Sequence, residues 1–211
     1  GHYHGEYFWH TLKNAEHPRG LLRRTRPSEY KKTNPNWETL LDIDELAKQE
    51  GINWIYKGAI RLAKTSSRRL LKFSRDGKDA IEIREYDYDT KQFITDGFNV
   101  PEAKTQIYTV DENAVYIATD FGPGSLNDSG YPIVIKLWHR GQPLSEAKIV
   151  FQGTPADLWV MAYTFKIDKV DHVAFLKREN GATQTKMFLQ ENNSLRELPI
   201  PNRASFECIR Q

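Results

Sequence analysis

The chain has 211 residues, with 30 Lys and Arg against 28 Asp and Glu, and hydrophobic residues make up 39% of it. This near balance of charge excludes a nucleic-acid binder built on an unbalanced basic face, and no apolar run approaches the roughly 18 residues of a membrane-spanning helix. The one cysteine, Cys208, excludes an internal disulfide, so the fold must rest on burial.

From the N-terminus, Gly1-His2-Tyr3-His4 lacks the basic-then-apolar order of a signal peptide. His2 and His4 alternate onto one strand face, with His10 farther on, but no metal or other cofactor is expected there. Period-two runs of β-branched and aromatic residues, the mark of strands, occupy most of the chain. The first group is Glu6–Thr11, Leu21–Thr25 and Trp37–Ile43. Within it, Arg23, Arg24 and Arg26 read as a solvated strand face. One helix is expected, Asp44–Glu50, with Asp44 as N-cap and Gly51 as a left-handed C-terminal cap. The second group is Trp54–Leu62, Arg69–Ser74, Ala80–Tyr88 and Gln92–Phe98. The third is Thr105–Val110, Val115–Thr119, Ile133–His139 and Lys148–Gln152, and the fourth is Leu158–Ile167, His172–Lys177, Thr185–Gln190 and Leu195–Leu198. Ser205–Ile209 closes the chain. Asp76-Gly77, Arg140-Gly141, Asn180-Gly181 and Asn192-Asn193 supply turns between strands.

Aromatics open successive groups at Trp54, Tyr108, Trp159 and Phe206, at spacings of 54, 51 and 47 residues. Four strands per period of roughly 40–50 residues is the β-propeller pattern, and a β-sandwich is the competing all-β architecture. The reading adopted is an all-β propeller fragment of about four blades, each a four-stranded antiparallel sheet, over residues 1–53, 54–104, 105–157 and 158–204, with a final strand in 205–211. The first group shows three strands only, so Ser205–Ile209 is expected to pair with Glu6–Thr11, within one chain or between two. An open arc of blades would leave apolar faces and strand edges uncovered and favour self-association.

The most specific stretch is Asp120-Phe121-Gly122-Pro123-Gly124-Ser125-Leu126-Asn127-Asp128-Ser129-Gly130-Tyr131-Pro132, a glycine- and proline-rich insert between two apolar strands. It reads as a long hairpin loop. Together with Asn34–Ala59, Phe73–Ala80 and Ile135–Trp138, it resembles the propeller of the prolyl oligopeptidase family of serine peptidases, in a bacterial branch. The N-terminal run Asn14–Thr25 is similar to that family's first blade. The resemblance implies a seven-bladed propeller capping an α/β-hydrolase domain that cleaves short peptides after proline. It further implies that the hydrolase domain is this chain's partner. A cytoplasmic location is expected. Phe121, Gly122, Gly124, Asn127, Asp128 and Tyr131 are then the candidate residues of a rim facing that domain.

No catalytic residue is expected within the chain. A nucleophile elbow reads Gly-x-Ser-x-Gly, whereas Ser125 follows Pro123 by two and Ser129 follows Asn127 by two. His139 and His172 lie in strand patterns, and Asp87 and Asp89 share a face expected to meet water. Asp120-Phe121-Gly122 and Ser28-Glu29-Tyr30-Lys31 copy fragments of kinase and β-lactamase motifs without the rest. Two rival readings are a free-standing propeller that binds a protein, and a sugar- or peptide-binding module using Trp9, Trp54, Trp138 and Trp159.

Overall fold

The computed structural model describes residues 2–4 (as backbone), 6–167, 170–179, 181, 185–192 and 194–200. The chain divides into two compact units, Gly1–Glu102 and Ala103–Gln211. Each unit contains two sheets whose strands pair in chain order.

In the first unit, β1 (His2–His4), β2 (Tyr7–Leu12), β3 (Leu21–Thr25) and β4 (Glu38–Asp42) form an antiparallel sheet. The first group therefore has four strands rather than three. Its extra member is too short and too polar to show an alternation, yet it covers the edge of Tyr7, Phe8 and Trp9. The expected pairing of Ser205–Ile209 with Glu6–Thr11 lies outside the described residues, as does Cys208.

Two helices occur here, not one. The short α1 (Pro27–Tyr30) starts on a proline, whose missing N–H is harmless in a first turn. It carries Tyr30 onto Phe8 at 4.4 Å between ring centres. The second, α2 (Ile43–Glu50), is capped by Asp42 rather than Asp44: Asp42 Oδ1 accepts the N–H groups of Asp44 and Glu45 at 2.9 and 3.2 Å. Gly51 ends it in the left-handed region, φ +67°, as expected. Ile43, Leu46 and Ala47 are its buried face.

The second sheet holds β5 (Trp54–Arg61), β6 (Arg68–Arg75), β7 (Ile81–Asp87) and β8 (Gln92–Phe93), with β9 (Val100–Ala103) also pairing β7. The expected strand Gln92–Phe98 thus stops at Phe93. Residues 94–99 instead fold over the carboxylate of Glu85, which is fully buried and accepts the Phe98 N–H at 2.8 Å. Gly97 makes the approach feasible, since a Cβ there would sit 2.5 Å from Glu85 Oε2. Leu22, Leu40, Ile43, Trp54, Phe73 and Tyr86 pack the two sheets into one core. Polar ties reinforce it: the Tyr86 hydroxyl donates to the Leu40 carbonyl at 2.6 Å, and Arg84 of β7 pairs with Glu50 of α2 at 2.6 Å.

Arg24 corrects the solvated reading of the arginine cluster. It is 8% exposed, donates to Glu38 at 2.6 Å and Asp89 at 2.9 Å, and lies 4.4 Å over the Tyr7 ring. Adjacent strand residues face opposite ways, so Arg23 and Arg24 cannot share one environment.

The second unit contains β10 (Gln106–Thr109), β11 (Ala114–Ala118), β12 (Val134–His139) and β13 (Lys148–Gln152) in one sheet. Its other sheet is β14 (Asp157–Ile167), β15 (Val170–Glu179), β16 (Lys186–Glu191) and β17 (Ser194–Leu198). Every residue of β11 is buried, which a run of Ala-Val-Tyr-Ile-Ala tolerates on both faces. Tyr116, Ile135, Phe151, Val160 and Phe175 fill the core, with Phe151 and Phe175 stacked at 5.2 Å. The fold is all-β, four antiparallel sheets of the blade pattern.

Candidate functional site

The loop between β11 and β12 is built from two polar turns. In the first, Asp120 Oδ1 accepts the Gly122 N–H at 2.8 Å. The Ser125 hydroxyl, 4% exposed, donates to the Gly122 carbonyl at 2.7 Å and accepts the Phe121 N–H at 2.9 Å. Gly122 and Gly124 have φ of +95° and +80°, so side chains there would be strained. The second turn is organised by Asn127. Its Oδ1 accepts the N–H groups of Ser129 and Tyr131 at 3.0 and 2.9 Å, and its Nδ2 donates to the Asp157 carbonyl at 2.9 Å. Ile133 N–H donates to the Ser125 carbonyl at 2.9 Å and closes the neck.

Lysines brace the loop's two aromatics. Lys136 Nζ lies 4.3 Å from the Phe121 ring centre, and Lys104 Nζ lies 3.8 Å from that of Tyr131 while donating to the Ser129 carbonyl at 2.9 Å. Such contacts are worth about 0.5–1 kcal/mol each at exposed sites. The loop is therefore a fixed body, with Gly122, Gly124 and Asp128 exposed and Phe121, Asn127 and Tyr131 half-buried. Asn127 acts as the internal anchor.

The anchor reaches a buried polar centre that sequence reasoning missed. Asp157 is 1% exposed, accepts the Thr154 N–H at 2.5 Å and pairs with Lys177 at 3.2 Å. Gly153 leaves the space, since a Cβ there would lie 2.7 Å from Asp157 Oδ2. Glu85 with Gly97 repeats this device in the first unit. The glycines were visible in the sequence, but nothing marked the acid each makes room for.

Most of the carboxylates and histidines singled out in the sequence are engaged in structural contacts. Asp87 Oδ1 accepts the Asp89 N–H at 2.8 Å, while Asp89 pairs with Arg24, so the two carboxylates do not work together. Backbone and side-chain hydrogen bonds outweigh burial and hold the Asp87 carboxyl below the usual range. His139 is exposed, and His172 stacks on Phe165 at 5.5 Å. His17, Asp42 and Asp44 place ligand-type atoms within 4.8 Å of one another. Asp42 is spent on the helix cap, however, and Asp44 accepts the N–H groups of Arg19 and Gly20 and pairs with the Arg19 guanidinium at 3.1 Å. His17 Nδ1 lies 3.2 Å from Asp42 Oδ2 without hydrogen-bond alignment. The cluster fastens the start of α2. Of the four tryptophans considered for ligand binding, Trp54 and Trp138 are buried core, while Trp9 and Trp159 are partly open.

Comparison with known proteins decides what these sheets are. The prolyl oligopeptidase N-terminal β-propeller domain matches residues 2–194. The chain belongs to that family. An uncharacterized peptidase of Sinorhizobium fredii is 40% identical over 151 residues, covering 72% of this chain and 20% of the relative. One of Rickettsia prowazekii is 32% identical over 153 residues, covering 69% and 21%. Among solved structures, a post-proline cleaving enzyme from Rickettsia typhi superposes with a TM-score of 0.85 at 25% identity, over 95% of this chain and 31% of that one. Oligopeptidase B from Leishmania major matches in fold, with a TM-score of 0.68 at 14% identity, over 92% of this chain and 26% of that one. The four sheets are thus blades of the propeller of a prolyl oligopeptidase-like peptidase. The chain spans about a fifth of the curated relatives it matches, and in this family the propeller is the N-terminal part of larger peptidases that also carry a catalytic domain. Among the described residues no helix is long and apolar enough to cross a membrane.

Proposed function

We propose that this chain forms part of the access-controlling propeller of a serine-type peptidase that cleaves short peptides after proline. The observation that carries the reading is the family match over 2–194, joined to the braced loop after β11. In this reading each four-stranded sheet is one blade, within 1–53, 54–104, 105–157 and 158–204, and the partner is an α/β-hydrolase domain in the same protein. Gly122, Gly124 and Asp128 meet that domain, while Asn127 and the lysine-braced rings of Phe121 and Tyr131 keep the loop in shape. The single cysteine fits a reducing cytoplasm.

Access control is a matter of size. A folded domain of 100 residues has a radius of gyration of about 13 Å, whereas an extended peptide is one chain wide. A stiff ring over a catalytic site therefore passes the second and excludes the first. The test compares the whole peptidase with the 211-residue chain. The whole enzyme should turn over a chromogenic Gly-Pro substrate and short proline peptides while leaving a folded protein intact, and the isolated chain should turn over none. Turnover by the isolated chain that survives repurification, or equal cleavage of folded and short substrates by the whole enzyme, would refute the reading.

A further inference from the structure

In the first unit, a cleft of about 600 Å³ opens between β2 and β3 on one side and β5 and β6 on the other. Its walls include Trp9, Tyr56 and Tyr88, and its cationic groups are Arg23, Arg61 and Arg69, with no acidic residue among the described residues lining it. The volume falls within the ~300–1,000 Å³ usual for ligand sites.

The charge pattern is selective. Of the nine arginines in the first unit, Arg19, Arg24, Arg26, Arg68, Arg75 and Arg84 each reach a carboxylate. Arg23, Arg61 and Arg69 are the other three, and among the described residues none of them forms an ion pair. All three line the cleft. Among the described residues their hydrogen bonds go to neutral acceptors and leave most donors open: Arg23 Nε to His10 Nδ1 at 3.1 Å, Arg61 Nη1 to the Lys64 carbonyl at 2.8 Å, and Arg69 Nη1 to the Ser66 and Arg68 carbonyls at 2.6 and 2.9 Å. Arg61 and Arg69 are moreover directly opposed in the β5–β6 register, a like-charge pairing that weakens a sheet. Burial lowers the pKa of all three, that of Arg69 to about 10. The fold therefore carries a concentrated, partly desolvated positive charge that no ion pair among the described residues neutralises.

The β5 strand is also deformed at this wall. Its pairing with β6 slips between Tyr56 and Ala59, and Gly58 takes φ +104°. Bulges of this kind re-aim side chains and gather beside sites.

We propose that this cleft binds an organic carboxylate, with Arg61, Arg69 and Arg23 holding the charge and Trp9, Tyr56 and Tyr88 covering the carbon skeleton. Guanidinium forks match a planar carboxylate in bidentate geometry. The aromatic walls require an organic body, which inorganic phosphate lacks. A peptide C-terminus and a small polycarboxylate both carry this chemistry. The proposal is independent of post-proline cleavage and concerns the chain itself.

The test titrates the 211-residue chain with N-acetyl-trialanine, its C-terminal amide, citrate and inorganic phosphate, following the arginine Nε–H and Trp9 indole NMR signals. Saturable shifts with the free-acid peptide or with citrate, exceeding those from the amide and phosphate, are expected, and whichever acid binds tighter identifies the source. Arg61→Gln and Arg23→Gln should each weaken that binding about tenfold, the loss of a charge-assisted hydrogen bond. The melting temperature of Arg61→Gln should be unchanged or higher, since the opposed charges are relieved. Equal response to amide or phosphate, no response to either acid at about 10 mM, weaker than even a millimolar site, or unchanged affinity in both variants would overturn the assignment.

Discussion

Arg24 and Arg23 differ by one position and by everything that surrounds them. Arg24 turns inward to two carboxylates and the Tyr7 ring, while Arg23 stacks on Trp37 at 4.2 Å and donates to His10. The His10 pKa is lowered, first by burial and then by the Arg23 charge. A histidine depressed in the folded state binds its proton more readily when unfolded, so its contribution is present above its unfolded value of about 6.5 and is lost as pH falls through the folded value. The chain should therefore lose stability between pH 7.5 and 5.5, and His10→Asn should lose less. Urea midpoints of both proteins at the two pH values check this, and equal losses would deny His10 the role. The carboxylates held low, such as Glu38 through its hydrogen bond to Arg24, act only below about pH 4.5 and stay out of that window. Gly97 offers a second residue-scale prediction. Gly97→Ala forces a methyl onto the Glu85 carboxylate, and overpacking of this kind costs about 1–3 kcal/mol, readable as a lower urea midpoint with an unchanged slope.

At the scale of elements, strand positions were legible because alternation and turn residues are local signals: Leu21–Thr25 and Lys148–Gln152 fall at the same residues in sequence and structure. Failures occurred where a nonlocal partner decides the outcome. The cap of α2 went to Asp42 because Asp44 is drawn to the Arg19 segment, a contact across 25 positions that no window reveals. The strand after Gln92 broke because Glu85, not a neighbouring strand, receives the Phe98 N–H. The loop after β11 was found from composition, but its stiffness was not, since the anchor of Asn127 is the carbonyl of Asp157, 30 positions away. The capping assignment can be checked directly. Asp42→Ala should cost about 1 kcal/mol, the usual worth of such a cap, whereas Asp42→Asn should retain most of it. Helical signal and urea midpoint measured for both variants would separate capping from the Asp42–His17 contact, because both substitutions remove the charge and only the amide can still cap. Comparable losses in the two variants would assign the effect to charge.

For the whole molecule, the braced loop matters only if its shape controls what reaches a catalytic domain. Asn127 is the point where this can be tested without touching any exposed loop residue. Its amide accepts two N–H groups and donates to the carbonyls of Asp157 and Leu158. Asn127→Ala leaves those groups to water, at about 0.5–1.5 kcal/mol for each net hydrogen bond, and the cost falls on the loop because the surrounding strands keep their own ladders. In the isolated chain the expected result is faster proteolytic nicking within residues 121–131 with an unchanged melting transition. In the whole peptidase, kcat on a chromogenic Gly-Pro substrate should hold, while the discrimination between a short peptide and a longer one of about 40 residues, near the smallest size that folds alone, should shrink. The two readouts separate the structural claim from the functional one. Nicking without a change in size discrimination would leave the loop a rigid surface feature and remove it from access control, whereas an unaltered nicking rate would mean that Asn127 does not hold the loop at all.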